Sequence, residues 1–398
     1  MYPLKGVVQH YSWGGYRYIP GFLGIPNEVK EKPFAEYWLG AHPAFPSQLE
    51  EGTSLDEFIQ QHKEALGKEV SSRFSSLPFL FKVLDVWQML SIQVHPSKEA
   101  AERGYAEENA AGIPLNAPNR NYKDENHKPE LMVALDDFWL LHGFKPEDQL
   151  EKVLQRVPEL APLLPLFREG GYRALYQKVM NLKQEETDRM LQPLAARVLP
   201  LYEKNKLSKE EENFWAARAI MNFCGLGQFD RGIFSVYFFN LLHLKKGEGI
   251  FQPEGLPHAY LEGQNIEIMA NSDNVLRGGL TEKHIDISEL MKHVKFEATH
   301  PQVIQNKSSE THKSFTPPVA EFELHQYDWK KGGPQTITTH SAEIWLLLQG
   351  RIKVQAGDME QAVTRGGSLF VTAGAALTIQ VLEDALLFRA AVPSGEKN

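Results

Sequence analysis

The chain has 398 residues, too many for one ordinary hydrophobic core, so two or three domains are expected. A net charge of −9 argues against nucleic acid or an anionic membrane as a partner. The one cysteine, Cys224, excludes an intrachain disulfide and a Cys-based zinc pattern, and points to a reducing, cytoplasmic compartment. No apolar run approaches the ~20 residues of a membrane span, and Met1–Gly6 lacks the apolar core of a signal peptide.

In chain order, the stretch to about residue 95 reads as short strands and turns around one helix. That helix is predicted over 54–76, with Ser54 and Glu57 in capping-box spacing. Residues 79–95 read as strand material. Leu90, Ile92 and Val94 fall on one face, and Ser91, Gln93 and His95 on the other, so one side packs while the other presents polar groups. Lys82 lies inside the apolar run 79–84, where an unpaired burial is costly, so it snorkels or faces a polar cavity. A helix is predicted over 97–111, opening at Ser97, followed by an Asn- and Pro-rich loop to residue 126. Pro129 pushes Lys128 toward extended backbone, which lets Lys128 and Glu130 face the same side.

From 146 to 221 helix formers dominate, with Leu150, Val153, Leu154 and Val157 at helical spacing. Ser208 and Glu211 form a second capping-box pattern, ahead of Phe214, Ala217 and Met221. Strand patterning resumes near Ile233 and runs through Leu244, and the block 316–394 again has β texture with glycine turns. The reading is mainly β with a helical insertion. Residues 1–145 and 230–315 form a discontinuous catalytic unit, 146–229 a helical subdomain, and 316–398 a second β unit without a ligand set.

Four patches carry chemistry. Gln93, His95, Glu130 and His258 offer an amide oxygen, a carboxylate and imidazoles, an N/O set suited to Zn²⁺ or a similar divalent ion. Arg277, followed by Gly278-Gly279 and then Lys283, suits an oxyanion. Glu267 lies between Ile266 and Ile268, on the opposite strand face. The stretch Gly247-x5-Pro253-x-Gly255-x2-His258 resembles the second motif of cupin proteins, with Glu262 where that motif usually has Asn.

Taken in order, the patches resemble type I mannose-6-phosphate isomerase (phosphomannose isomerase). The resemblance runs through Gln9–Gly14, Phe34–Trp38, Leu90–Pro96, Asn126–Glu130, Pro257–Leu261 and Asp273–Gly279, with Ser12 a departure where many members have Ala or Asp. It implies two cupin-like (jelly-roll) β domains with a helical insertion. It also implies one zinc ion on Gln93, His95, Glu130 and His258, and catalytic roles for Arg277, Lys128, Glu267, Asp273 and His127. Lys82 and Ser91 resemble phosphate-binding positions, and Tyr260 and Lys283 further substrate-binding ones. The implied ligand is a small sugar phosphate, with no nucleic acid or membrane partner and a monomer favoured. The implied reaction interconverts mannose 6-phosphate and fructose 6-phosphate through a cis-enediol. Two other classes compete: a non-catalytic metal- or sugar-phosphate-binding cupin, although metal binding alone has no need of the Lys128 and Arg277 cations, and a cupin oxygenase, whose redox iron is poorly matched by Gln plus Glu.

Overall fold

The computed structural model describes residues 1–27, 31–225, 227–305 and 311–395; short parts of the expected domain ranges (28–30, 226, 306–310 and 396–398) lie outside the described residues. Among the described residues there are two sheets, of ten and nine strands, and every ladder within them is antiparallel. The first sheet is ordered Gly249–Gln252, Glu130–Ala134, His258–Ala270, Phe79–Val86, Glu36–Gly40, Val7–Gln9. Alternation along the strand Phe79–Val86 assigns its two faces. Phe79, Phe81 and Val83 enter an apolar layer shared with Ile344, Phe370 and Phe388 of the second sheet. Leu84 and Val86 point into the interior of the first sheet's own barrel, beside Met132, Phe138 and Tyr260. Lys82 shares their parity and therefore points inward.

The strand His258–Ala270 organises this unit. Its first residues pair with Gln93–Val94 and Phe138–Phe144, and its later ones with Phe79–Val86 and Glu130–Ala134. A bulge between Tyr260 and Glu262 shifts the register. Before it, Ala259 and Leu261 face the helical core; after it, Ile266 and Ile268 face the intersheet layer. The inward parity thus changes from even to odd, and His258, Tyr260 and Glu267 all face the interior.

The helices Glu147–Arg156, Leu164–Met180, Gln184–Glu203 and Glu212–Phe223 form the expected insertion and pack on Ile92, Val94, Leu141, Ala259 and Leu261. No described helix is long and apolar enough to cross a membrane. The mainly β fold with two cupin-like sheets and a helical insertion is as expected from the sequence. The second sheet also takes strands from the N-terminal segment. Tyr2–Lys5 pairs with both Ser368–Val371 and Gln48–Leu49, so the first residues of the chain lie in the sheet of the last.

Local expectations fail at four places. The 54–76 helix is three short pieces, Leu55–Gln61, Lys63–Leu66 and Lys68–Arg73, interrupted at His62 and at Gly67 with φ +88°; Ser54 makes no side-chain cap bond. Ser208 does not cap a helix: its Oγ accepts from Glu210 N, and the helix starts four residues later at Glu212. Gly232–Phe238 is helix rather than strand, and all seven residues are buried. A segment apolar on every side gives periodicity nothing to report. The inward strand ends at Val86, so the alternation drawn through Leu90 stops early and Leu90 turns to the pocket side with Ser91. By contrast, Ser97 caps Lys98–Ala110 as expected, accepting from Ala100 N.

The layer between the sheets is the main cohesive surface of the β units. Replacing the fully buried Phe81 by Ala is expected to cost about 3–5 kcal/mol. Thermal unfolding of Phe81→Ala beside wild type checks this, the expected result being a clearly lower Tm.

Candidate metal centre and active site

Three residues far apart in sequence converge at the inner end of the first barrel. His95 Nε2 lies 3.3 Å from Glu130 Oε1, and His258 Nε2 lies 3.3 Å from Glu130 Oε2. One ligand atom from each residue falls within 4.8 Å of the others, and all three residues are buried. The opposite ring nitrogens are already committed. His95 Nδ1 donates to the Asn274 carbonyl at 2.8 Å and His258 Nδ1 to the Leu256 carbonyl at 2.9 Å. Both rings therefore turn their Nε2 lone pairs to the centre, as carbonyl-anchored histidine ligands do. His95 Nε2 is fully buried with no hydrogen-bond partner, an expensive arrangement unless a cation accepts the lone pair. Burial drives the His95 pKa down to about 4, which keeps the ring neutral and able to ligate. Burial works to raise the Glu130 carboxyl, but the Lys128 charge and the two histidines hold it well below the usual range. The donor set fits a divalent ion of borderline hardness.

Sheet register supplies the rest of this wall. Arg277 is directly opposite Gln93, Gln93 opposite His258, and His258 opposite His142, so four residues stand in one transverse row. Gln93 lines the small inner cavity with Glu130 and His258. The turn before His258 is fastened to the same centre: Gly255, at φ +76°, donates its N–H to the His95 carbonyl at 2.9 Å. A Cβ there would come 2.9 Å from the His293 carbonyl as well as needing left-handed backbone, so glycine is required.

A second row crosses the barrel beside the first, with Trp38 opposite Lys82 and Lys82 opposite Glu267. Lys82 Nζ is 3.2 Å from Glu36 and 3.3 Å from Glu267, and sits 4.9 Å over the Trp38 ring. Burial alone would discharge this lysine; the carboxylates Glu36, Glu267 and Glu130 instead raise its pKa. Trp38 Nε1 donates to Glu36 at 2.5 Å, and the Tyr260 hydroxyl donates to Glu267 at 2.8 Å. Burial, together with the Glu130 charge, raises the Glu267 carboxyl. Lys128 lies 3.3 Å from Glu130, on the shared side expected from the Pro129 argument.

Through Arg277, Gln93, Trp38 and Lys82 the rows reach a cavity of about 620 Å³, also lined by Tyr11, Ser91, Lys128 and Lys283, while His258 and Glu267 line the small inner cavity that shares Gln93, Lys82 and Lys128 with it. Arg277 makes no ion pair among the described residues, and burial lowers its pKa. Burial also lowers Lys283, with Arg277 and Lys123 adding repulsion. These are cations awaiting an anion. Asp273 lines the cavity too. His127 is not brought to it: its Nε2 pairs with Glu321 at 2.8 Å. Glu36, Trp38 and His42 were not singled out as site residues from the sequence. The available signal was the cost of burying Lys82, which demands a carboxylate at matching parity on an adjacent strand.

Comparison with known proteins adds the family. Residues 1–147 match the model of the phosphomannose isomerase type I catalytic domain. Mannose-6-phosphate isomerase of Escherichia coli (strain K12) is 38% identical over 387 residues, covering 94% of this chain and 95% of that one. The chain belongs to the mannose-6-phosphate isomerase family. The Macaca fascicularis family member is 32% identical, with 98% of each chain covered. The crystal structure of the Salmonella typhimurium mannose 6-phosphate isomerase bound to substrate (fructose 6-phosphate) and zinc superposes with a TM-score of 0.88. It is 35% identical, over 99% of this chain and 100% of that one. Family membership extends across both sheets and the helical insertion.

Two neutral, buried histidines in this wall set an acid limit. The His95 pKa is driven down to about 4 by burial, and that of His142 to about 3 by burial and the neighbouring His258, from an ordinary value near 6.5. The unfolded chain binds these protons first, so stability is present above pH 6.5 and falls as pH drops from there toward about 4 for His95 and about 3 for His142. Metal-free protein is expected to lose Tm steadily across that window. Thermal scans of the metal-free protein between pH 7 and 4 check it, and His142→Leu should make the slope shallower.

Proposed function

We propose that this chain is a zinc-dependent aldose–ketose isomerase that interconverts mannose 6-phosphate and fructose 6-phosphate through a cis-enediol(ate). The observation that carries the reading is the juxtaposition of an N/O metal-ligand cluster with a cavity whose cations Arg277 and Lys283 have no ion pair among the described residues. Gln93, His95, Glu130 and His258 would hold the metal. Bound there, zinc supplies Lewis-acid stabilisation of negative charge on a sugar oxygen. The protein is taken to be a monomer, and cytoplasmic in keeping with its single cysteine.

The side chains divide the remaining work. Arg277, in the same row as Gln93 and His258, faces the oxyanion that develops at O1 and O2. Lys283 and Ser91 receive the phosphate. Lys82 is neutralised by Glu36 and Glu267, so its charge orients Glu267 more than it attracts phosphate. Glu267 is the base: its carboxylate removes the C2 proton of the open-chain aldose and returns it to C1, which gives the ketose. A raised carboxyl pKa brings this group closer to neutrality, where proton transfer in both directions is efficient. The Tyr260 hydroxyl, whose pKa is pushed far up by burial and then by Glu267, remains a donor and fixes one carboxylate oxygen. Lys128 keeps Glu130 ionised for ligation and also faces the substrate cavity.

Coupled assay of mannose 6-phosphate isomerisation tests the reading. Zinc-replete protein should turn over substrate, lose turnover to a chelator and regain it with zinc. Glu267→Gln should lower kcat by about 10²–10⁴ with metal content unchanged and KM altered little. Sugar phosphate binding without turnover in metal-replete wild type would replace this reading with a binding protein.

A further inference from the structure

Asp273 stands in the partition between the 620 Å³ cavity and a neighbouring cavity of about 780 Å³. Its side chain is about half exposed, so one face is open to a ligand. On the other face lies His42, a residue only 5% exposed that none of the roles above uses. His42 Nε2 is 3.3 Å from Asp273 Oδ2, and His42 Nδ1 is 3.3 Å from the Ala44 backbone nitrogen. A backbone N–H can only donate, so Nδ1 is the acceptor nitrogen of the ring and the proton of the neutral imidazole resides on Nε2. Protonating Nδ1 would set N–H against N–H. The ring is held edge-on to Trp38, with centroids 5.0 Å apart, and Trp38 in turn covers Lys82. The Asp273 backbone N–H is separately fixed by Asp124 Oδ2 at 2.7 Å.

We propose that His42 is a positioning residue, a neutral Nε2–H donor that holds the Asp273 carboxylate ionised and leaves its other oxygen free to act on a sugar hydroxyl during ring opening. The proposal rests on the isomerase reading above. In the step it serves, Asp273 takes the proton from the anomeric O1 hydroxyl. The O1–H electrons form the C1=O bond as C1–O5 breaks, and the carboxyl returns the proton to O5. The carboxylate is regenerated, and no co-reactant is consumed. O1 and O5 share one carbon, so a single carboxylate serves both. The other titratable groups facing Asp273 are Lys82 from the barrel strand Phe79–Val86, Lys123, Asp124 and Lys128 from the loop ahead of Glu130, and Tyr11 from the N-terminal turn. Burial acts to raise the Asp273 carboxyl, and the His42 hydrogen bond leads the interactions that bring it below its ordinary value.

The test compares His42→Phe, which keeps an aromatic ring against Trp38 but has no donor, with His42→Gln, which restores an N–H at similar reach. The Phe variant should lose about tenfold or more in kcat/KM, and the acid limb of its pH profile should move to higher pH, since Asp273 loses the donor that favours its ionised form. The Gln variant should bring the limb back and recover most of the loss. Nitrogen-15 NMR of histidine-labelled wild type should find His42 Nδ1 unprotonated and Nε2 protonated. A Phe variant whose acid limb stays in place while wild type turns over normally overturns the role of His42 alone, as does a protonated Nδ1. Wild type without turnover overturns the isomerase reading and this role with it.

Discussion

The interior of the first barrel buries more negative charge than its own side chains balance. Glu36, Glu130 and Glu267 are each under 10% exposed, and among the described residues only Lys82 and Lys128 are cations buried beside them. Three carboxylates against two ammonium groups leave an excess negative charge in a low-dielectric space, which is costly unless a proton or a cation offsets it. A divalent ion on His95, Glu130 and His258 reverses the imbalance and leaves the interior net positive. Arg277 and Lys283, without an ion pair among the described residues, add to that field at the cavity wall. One constraint thus links the metal-ligand cluster, the raised Glu267 carboxyl and the proposed anionic ligand in a protein whose overall charge is −9.

The fold meets this constraint through register more than through loops. Two transverse rows, one carrying Arg277, Gln93, His258 and His142 and the other Trp38, Lys82 and Glu267, place the polar groups on neighbouring strands at the inward parity. The bulge after Tyr260 allows one strand to contribute to both rows. The second sheet repeats part of the device. Trp345 lies directly opposite Arg389, as Trp38 lies opposite Lys82, and its Nε1 donates to Glu343 at 2.6 Å. There the cation is satisfied twice by Glu343, at 2.5 and 2.8 Å, and by the Tyr327 hydroxyl at 2.6 Å. The carboxylate and guanidinium neutralise each other, so this copy has no surplus charge to draw a ligand and serves cohesion.

Much of the site was legible because its chemistry is local in sequence. Gln93-x-His95, Pro129-Glu130 and the glycine turn before His258 each bring a candidate ligand with its own backbone context, and Ile266-Glu267-Ile268 declares its parity outright. Glu36 and His42 were not legible, since each matters only through a partner more than forty residues away in the chain, Lys82 or Asp273. The same limit hid the pairing of Tyr2–Lys5 with Ser368–Val371. Periodicity failed where burial is complete, as in Gly232–Phe238, and capping patterns failed where Ser208 bonded within its own turn.

The central claim is that the metal centre and the anion cavity are one thermodynamic unit. Calorimetric titration of mannose 6-phosphate into metal-free and zinc-loaded protein measures the coupling directly, with unphosphorylated mannose as the control. The account predicts markedly tighter binding of the phosphosugar in the zinc-loaded form and a reciprocal gain in zinc affinity when the phosphosugar is present. Equal affinities with and without zinc would contradict it.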